Sequence, residues 1–154
     1  MHTRVWRICH EQYQDSAFSG EGARKYGGRF NTEGNSAVYT SGFLSLALLE
    51  MLVQVNKRSI LSNFVMISAD IPEHFIYSPD ESVLPEKWNQ IPYEKESQLF
   101  GDKWLAAPDA APVLKIPSVV VPTEFNYVIN PLHSAVKDWT YSSPENLPFD
   151  RRLK

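Results

Sequence analysis

The sequence predicts one domain, spanning residues 1–154, in which short β-strands are mixed with at least one amphipathic helix. Three observations lead there. Eleven prolines are spread through the 154 residues, and proline, with its fixed φ and missing N–H, divides a chain into turns and short elements. Several runs are rich in β-branched and aromatic side chains, while residues 44–55 carry a sustained helical repeat. Apolar residues make up 43% and charged residues 21% of the chain. At this length folding buries about two thirds of the unfolded surface, which is ample for one core.

Taken in order, residues 5–9 (Val-Trp-Arg-Ile-Cys) alternate as a short strand does, with bulky side chains suited to a pleated surface. Residues 16–35 collect Ser19, Gly20, Gly22, Gly27, Gly28, Gly34 and Asn35, a density that predicts loop. Residues 37–40 read as a strand, and Ser41 is placed to cap the helix that follows. Leu44, Ala47, Leu48, Met51, Leu52 and Val55 recur at helical spacing, so a helix of about four turns is expected. Gln54, Asn56, Lys57 and Arg58 mark its wet end. Residues 64–71 form another strand, closed by Pro72. Residues 79–112 are polar and punctuated by proline; Trp88, Tyr93 and Trp104 are expected to anchor them to the core, with a short helix around 93–104. Residues 116–121 and 127–129 are β-rich and joined by a hairpin at 122–126. The chain carries no internal repeat, low-complexity tract or linker.

Composition narrows the function. A net charge of −3 does not suit a protein that coats nucleic acid, so no direct nucleic-acid binding is expected. Cys9 is the only cysteine, which leaves no intramolecular disulfide and no cysteine zinc site, and favours a reducing compartment. Residues 1–10 hold no apolar run that could serve as a signal-peptide core. The longest apolar run, 46–53, is broken by Glu50 and falls far short of the ~20 residues a bilayer needs. The expectation is a soluble cytoplasmic protein with no membrane partner.

Glu50 is the most informative residue, because it is the only formal charge between Thr40 and Asn56 and interrupts an apolar helix. A bare carboxylate there is costly to bury. It lies either on the one wet stripe of the helix or in a cleft; Leu46, Leu49 and Val53 flank it and favour the cleft. Arg29 follows Gly27 and Gly28, so its guanidinium can clasp an anionic ligand, phosphate above all, with backbone N–H groups close by. Its plain alternative is a surface arginine on a loop. Tyr39 is either an aromatic platform for a planar ring or an inward residue of its strand. Ser118 follows Pro117 in an apolar run, where its hydroxyl either serves a ligand or satisfies a neighbouring carbonyl. It is not in a nucleophile elbow, and the glycines form neither a P-loop nor a dinucleotide fingerprint. His2, His10, His74 and His133 show no metal-binding spacing, so no metal is expected. Nothing pairs Cys9 with a histidine as a nucleophile.

Together these segments resemble the RES domain, whose name records an arginine, a glutamate and a serine. The resemblance runs through Trp6-Arg7, Gly27-Gly28-Arg29-Phe30-Asn31, Val38-Tyr39-Thr40-Ser41 and Ala47-Leu48-Leu49-Glu50-Met51-Leu52. It continues in Trp104-Leu105, Ile116-Pro117-Ser118-Val119-Val120, Asn126-Tyr127, Asn130-Pro131-Leu132-His133 and Phe149-Asp150-Arg151-Arg152-Leu153. It implies a compact α/β (α+β) domain similar to the ADP-ribosyltransferases, with a mixed β-sheet core and flanking helices. It also implies a toxin that consumes NAD⁺ and a helix-turn-helix antitoxin of the Xre type as partner, and it leaves a homodimer open. Carried over residue by residue, the family's arginine falls on Arg29, its tyrosine on Tyr39, its glutamate on Glu50 and its serine on Ser118, with Arg7 added to the pocket.

Cleaving the bond between nicotinamide and ribose builds positive charge on the ribose, which a carboxylate stabilises. Glu50, Arg29 and Tyr39 are therefore expected to be catalytic: Glu50 against the ribose, Arg29 on the pyrophosphate, Tyr39 positioning the nicotinamide ring or ribose. Arg7 and Ser118 would help bind and orient the substrate. NAD⁺ is then substrate, with no further cofactor and no metal, and its loss to water or phosphate depletes the NAD pool. Alternatives are a transferase that ADP-ribosylates a protein, a non-catalytic binding module, and an RNA-cleaving toxin, the last disfavoured by the acidic balance.

Overall fold

The computed structural model describes residues 1–55 and 62–153. The chain runs β1 (His2–His10), α1 (Glu21–Tyr26), β2 (Val38–Ser41), α2 (Leu44–Leu52), β3 (Phe64–Pro72), β4 (Ile76–Tyr77), α3 (Lys95–Ala106), β5 (Val113–Pro117), β6 (Phe125–Ile129) and β7 (Glu145–Asn146), with short 3-10 turns between. The fold is mixed α/β, as the sequence predicts. The strands form one seven-stranded sheet in the order β4-β5-β6-β2-β1-β3-β7. Its pairs are antiparallel apart from β4 and β5.

The sheet has two well-knit halves and a narrow seam. β1 and β3 pair along their whole length, from His2 opposite Pro72 to His10 opposite Phe64. β2 and β6 pair from Val38 opposite Ile129 to Ser41 opposite Asn126, and β6 returns from β5 as a hairpin. Between the halves β1 meets β2 at the Trp6–Ser41 pair. α2 packs across both strands of that seam, so the helix that carries Glu50 is laid over the place where the sheet is least tied.

Strands β2, β5 and β6 are covered on both faces, which explains why they read as nearly unbroken apolar runs. Val38, Val113, Tyr127 and Ile129 join Val5, Ala69, Ile71 and Val136 in one core. The alternate residues Leu114, Ile116 and Val128 join Phe30, Ala37, Leu84 and Trp104 in a second, against which Tyr39, Trp88 and Phe100 pack. Trp104 is the anchor the sequence suggested, buried with its indole N–H donating to the Ala111 carbonyl at 2.9 Å. Trp88 is half-buried, while Tyr93 is 41% exposed.

Several expectations are revised. The glycine-rich stretch is not all loop, for it contains α1, bounded by Gly20 and Gly27, both at positive φ, 78° and 74°. A glycine at each end lets the chain enter and leave a six-residue helix abruptly. Ser41 does not cap α2; it is the last residue of β2, and Phe43 holds the cap position without a side-chain bond. The helix is correspondingly shorter than four turns, Leu44–Leu52. Asn56, Lys57 and Arg58 lie outside the described residues. The β-rich run at 116–121 ends as a strand at Pro117. From there Ser118 opens a turn in which its N–H donates to the Glu124 carbonyl at 2.8 Å. A serine hydroxyl that caps nearby amides competes with continued pairing.

Candidate active site

Glu50 sits where α2 passes from core to solvent. Of the residues flanking it, Leu46 is fully buried, Leu49 is 40% exposed and Val53, at the end of the helix, 63% exposed. The carboxylate is nonetheless not simply solvated. Its Oε1 accepts from the Ser118 hydroxyl at 2.6 Å and from Asn126 Nδ2 at 2.7 Å. Among the described residues no side chain or backbone N–H donates to Oε2. One oxygen is thus anchored by two donors, and among the described residues the other is not.

The Ser118 hydroxyl is saturated. It has one proton and two lone pairs; the proton goes to Glu50, and the lone pairs accept from the backbone N–H of Val120 and of Val121, both at 3.0 Å. No valence remains for a ligand, so Ser118 acts from behind Glu50. Beside it opens a recess of about 260 Å³ lined by Glu81, Trp88, Asn89, Pro117, Ser118, Val119 and Pro122. A larger groove of about 340 Å³, between residues 35–36, 105–108 and 130–134, shares none of these residues.

Arg29 reaches the same region from the turn after α1. Its Nη1 donates to the carbonyls of Trp88 at 2.9 Å and Gln90 at 2.7 Å, which ties the wall of the recess to the arginine. Nε and Nη2 have no acceptor among the described residues. The guanidinium carbon lies 5.8 Å from the centre of the Tyr93 ring, within cation–π range. Burial draws the Arg29 pKa below its ordinary value, and the negative charge of Glu50 offsets part of that pull. The arginine and the glutamate therefore lie close enough to act on one another electrostatically.

Tyr39 holds this turn in shape. Its hydroxyl donates to Asn31 Oδ1 at 2.7 Å and accepts from the Phe30 backbone N–H at 3.0 Å. Asn31 is fully buried and its Nδ2 serves the carbonyls of Ala23, Thr32 and Asn35. A Cβ on Gly28 would lie 2.7 Å from the Tyr39 hydroxyl, so glycine is required there for close approach and not for a positive φ. Burial pushes the Tyr39 phenol well above its ordinary pKa; it stays protonated and can go on donating to Asn31.

Arg7 stands apart. Its Nη1 donates to the Tyr39 carbonyl at 3.0 Å, while its Nε is buried with no hydrogen-bond partner among the described residues. Burial pulls its pKa down, and Cys9 offsets part of that pull. The structure thus links Glu50 to Ser118 and Asn126 by hydrogen bonds, Arg29 to both Glu50 and Tyr39 by electrostatics, and Arg7 to Tyr39 through the backbone. Sequence reasoning missed the roles of Asn126 and Ser41. Asn126 is the odd polar residue among Phe125, Tyr127, Val128 and Ile129, and that was the available signal. Of the histidines, His10 and His133 accept backbone N–H bonds as local caps.

A mixed α/β fold that carries a half-anchored carboxylate within electrostatic reach of an arginine, beside a recess, defines a small protein built around a polar, enzyme-like site. The chain belongs to the RES domain family, whose model matches residues 4–150. It is similar to a protein named Toxin Res from Yersinia enterocolitica, 34% identical over 97% of this chain and 99% of that one. A second Toxin Res, from Photorhabdus laumondii, is 37% identical over 83% of this chain and 81% of its own. A protein from a Sphingobium species named Prs ADP-ribosylating toxin is 34% identical over 89% and 88%.

Proposed function

We propose that this protein is a toxin that cleaves the bond between nicotinamide and ribose in NAD⁺. The observation that carries the reading is the half-anchored carboxylate: Oε1 of Glu50 is fixed by Ser118 and Asn126 while Oε2 has no protein donor among the described residues. A carboxylate so arranged is suited to a centre that becomes positive only in the transition state, and it need not reorganise to meet it.

In this reading Oε2 of Glu50 faces the ribose. The C–N bond to nicotinamide breaks with both electrons leaving on the nicotinamide, and the oxygen of water or phosphate bonds the ribose carbon and loses its proton. The Nε and Nη2 donors of Arg29, unengaged among the described residues, hold the pyrophosphate, since a guanidinium meets phosphate oxygens in pairs. Tyr39 contributes its ring and the shape of the Arg29 turn, its hydroxyl being already engaged. Arg7, a buried cation with no salt-bridge partner among the described residues, adds positive potential behind Tyr39. No helix among the described residues is long and apolar enough to cross a membrane, which is compatible with a cytoplasmic toxin neutralised by an Xre-type helix-turn-helix antitoxin.

The test is NAD⁺ loss and nicotinamide release by the purified protein, with and without phosphate, beside Glu50→Gln. Glu50→Gln should lower turnover at least ~100-fold, in the range found when a single electrostatic group is removed. A variant with normal turnover and an unchanged melting curve would refute the assignment. The Sphingobium relative favours a second reading, transfer of ADP-ribose to a protein. Adenine-labelled NAD⁺ separates the two: label retained on a protein target marks the transferase, free ADP-ribose or its phosphate ester the NAD⁺-destroying enzyme.

A further inference from the structure

We propose that Asn126, itself oriented by Ser41, is a positioning residue that decides which oxygen of Glu50 faces the substrate. This rests on the reading of Glu50 as the catalytic carboxylate and adds the device that aims it.

The hydrogen bonds run in one direction. An ionised carboxylate can only accept, so the Asn126 side chain must turn its NH₂ toward Glu50, at 2.7 Å. Its Oδ1 then points back to Ser41, whose hydroxyl donates to it at 2.7 Å. Ser41 is 4% exposed, with no water-filled surroundings in which to find another acceptor cheaply. Ser41 and Asn126 are direct register partners at the end of the β2–β6 pairing. The distance between them is therefore set by the sheet ladder and not by a flexible loop.

Asn126 and Ser118 reach Glu50 from different pieces of backbone, β6 and the turn after β5, yet both donate to Oε1. Two donors on one oxygen fix the plane of the carboxylate and turn Oε2 outward. A glutamate without them keeps several rotamers, and ordering such a side chain costs entropy that would fall on the transition state. With the relay in place the ordering is done by the fold.

The experiment uses the full chain with Asn126→Asp, Asn126→Ala, Ser41→Ala and Ser41→Thr, measuring kcat and KM for NAD⁺ and melting temperature, together with a crystal structure of Asn126→Ala. Asn126→Asp keeps the shape but puts an acceptor where Glu50 needs a donor, so a space-filling role would tolerate it and a positioning role would not. The expected result is a fall in kcat of ~10²-fold for both Asn126 variants, the size associated with a misplacement of about 1 Å, with KM nearly unchanged. Ser41→Ala should lower kcat about tenfold by freeing the amide to flip, and Ser41→Thr, which restores the hydroxyl, should recover most of it. In the crystal structure the Glu50 carboxylate should rotate. Normal kcat in Asn126→Asp, or a Glu50 unmoved in Asn126→Ala, overturns the proposal. If the wild-type protein leaves NAD⁺ intact, the functional reading fails by itself, and the crystal structure still decides whether Asn126 aims the carboxylate.

Discussion

Replacing Gly101 by alanine should cripple the site from 70 residues away in sequence, because Gly101 is where α3 presses on the Arg29 turn. A Cβ there would overlap the Phe30 carbonyl oxygen and lie 2.5 Å from its carbon and 2.7 Å from its Cβ. The opposing atoms are backbone or next to it, so they cannot rotate away. Ordinary contact requires roughly 1 Å of retreat or more. The same helix face holds the turn by hydrogen bonds. Gln98 Nε2 donates to the carbonyls of Gly28 at 3.2 Å and Asn31 at 3.1 Å. The Asp102 carboxylate accepts from the Thr32 N–H at 3.0 Å and from its hydroxyl at 2.6 Å.

Overpacking of this kind costs ~1–3 kcal/mol. Lengthening those bonds adds about 1 kcal/mol for each one lost. Alanine recovers up to ~1 kcal/mol of helix propensity over glycine. The balance is a destabilisation of roughly 3 kcal/mol, and at ~2–4 °C per kcal/mol for a chain of this size the midpoint falls on the order of 10 °C. Urea unfolding and thermal melts measure it. Gly22→Ala is the control: Gly22 lies in α1 with nothing near the new Cβ, so that change should be neutral or stabilising by up to ~1 kcal/mol. A Gly101→Ala protein that melts with the wild type would show that the contact between α3 and Phe30 is not as close as described.

Tyr39→Phe removes the hydroxyl that joins Phe30 and Asn31, and should cost ~1–3 kcal/mol by leaving a buried N–H unpaired; equal urea midpoints would contradict this. Tyr39 also gives an alkaline signature. Its folded-state pKa lies above the unfolded value of ~10, so its share of stability is complete below pH 10 and declines as pH rises above that value. Melting temperature should therefore drop less steeply above pH 10 in Tyr39→Phe than in the wild type. Cys9 is partly buried in the same strand as Arg7, and burial raises its thiol pKa while Arg7 offsets only part of the rise. Less of it is thiolate at pH 8 than in a free cysteine, so iodoacetamide should modify Cys9 more slowly in the native protein than after unfolding; equal rates would refute the shift.

What the sequence disclosed follows from what each signal depends on. Helical spacing from Leu44 onward and the apolar runs at β3 and β6 are local patterns, and they placed those elements to within a few residues, whereas the run at 116–121 overlaps β5 only at Ile116 and Pro117. Glu50 stood out because a charge within an apolar helix needs a partner, and that much is local too. Its partners were not legible, since Ser118 and Asn126 lie 68 and 76 positions away and become neighbours only when the β5–β6 hairpin folds beside α2. The misreading of Ser41 has the same origin. A serine before an apolar helix looks like a cap, and only the pairing of β2 with β6 sets it opposite Asn126. α1 was hidden because its six residues offer no full period of apolar spacing, and its two boundary glycines signal loop as strongly as they signal helix ends.

The two charged groups of the site are held by separate devices. Arg29 depends on α3, through Gly101, Gln98 and Asp102, and on Tyr39 and Asn31 beneath its turn. Glu50 depends on β6 and the turn after β5, through Asn126 and Ser118. If binding resides in the first group and chemistry in the second, damage to each should separate in the kinetics. Loosening the Arg29 turn by Gly101→Ala should act mainly on KM for NAD⁺, in the fraction of protein that stays folded, because contacts to the pyrophosphate persist from ground state to transition state. Loosening the carboxylate through Asn126 should act on kcat, because the charge it answers exists only as the bond breaks. The same pattern of loss in both variants would mean that the cleft moves as one piece, and that the division drawn from the hydrogen bonds is wrong.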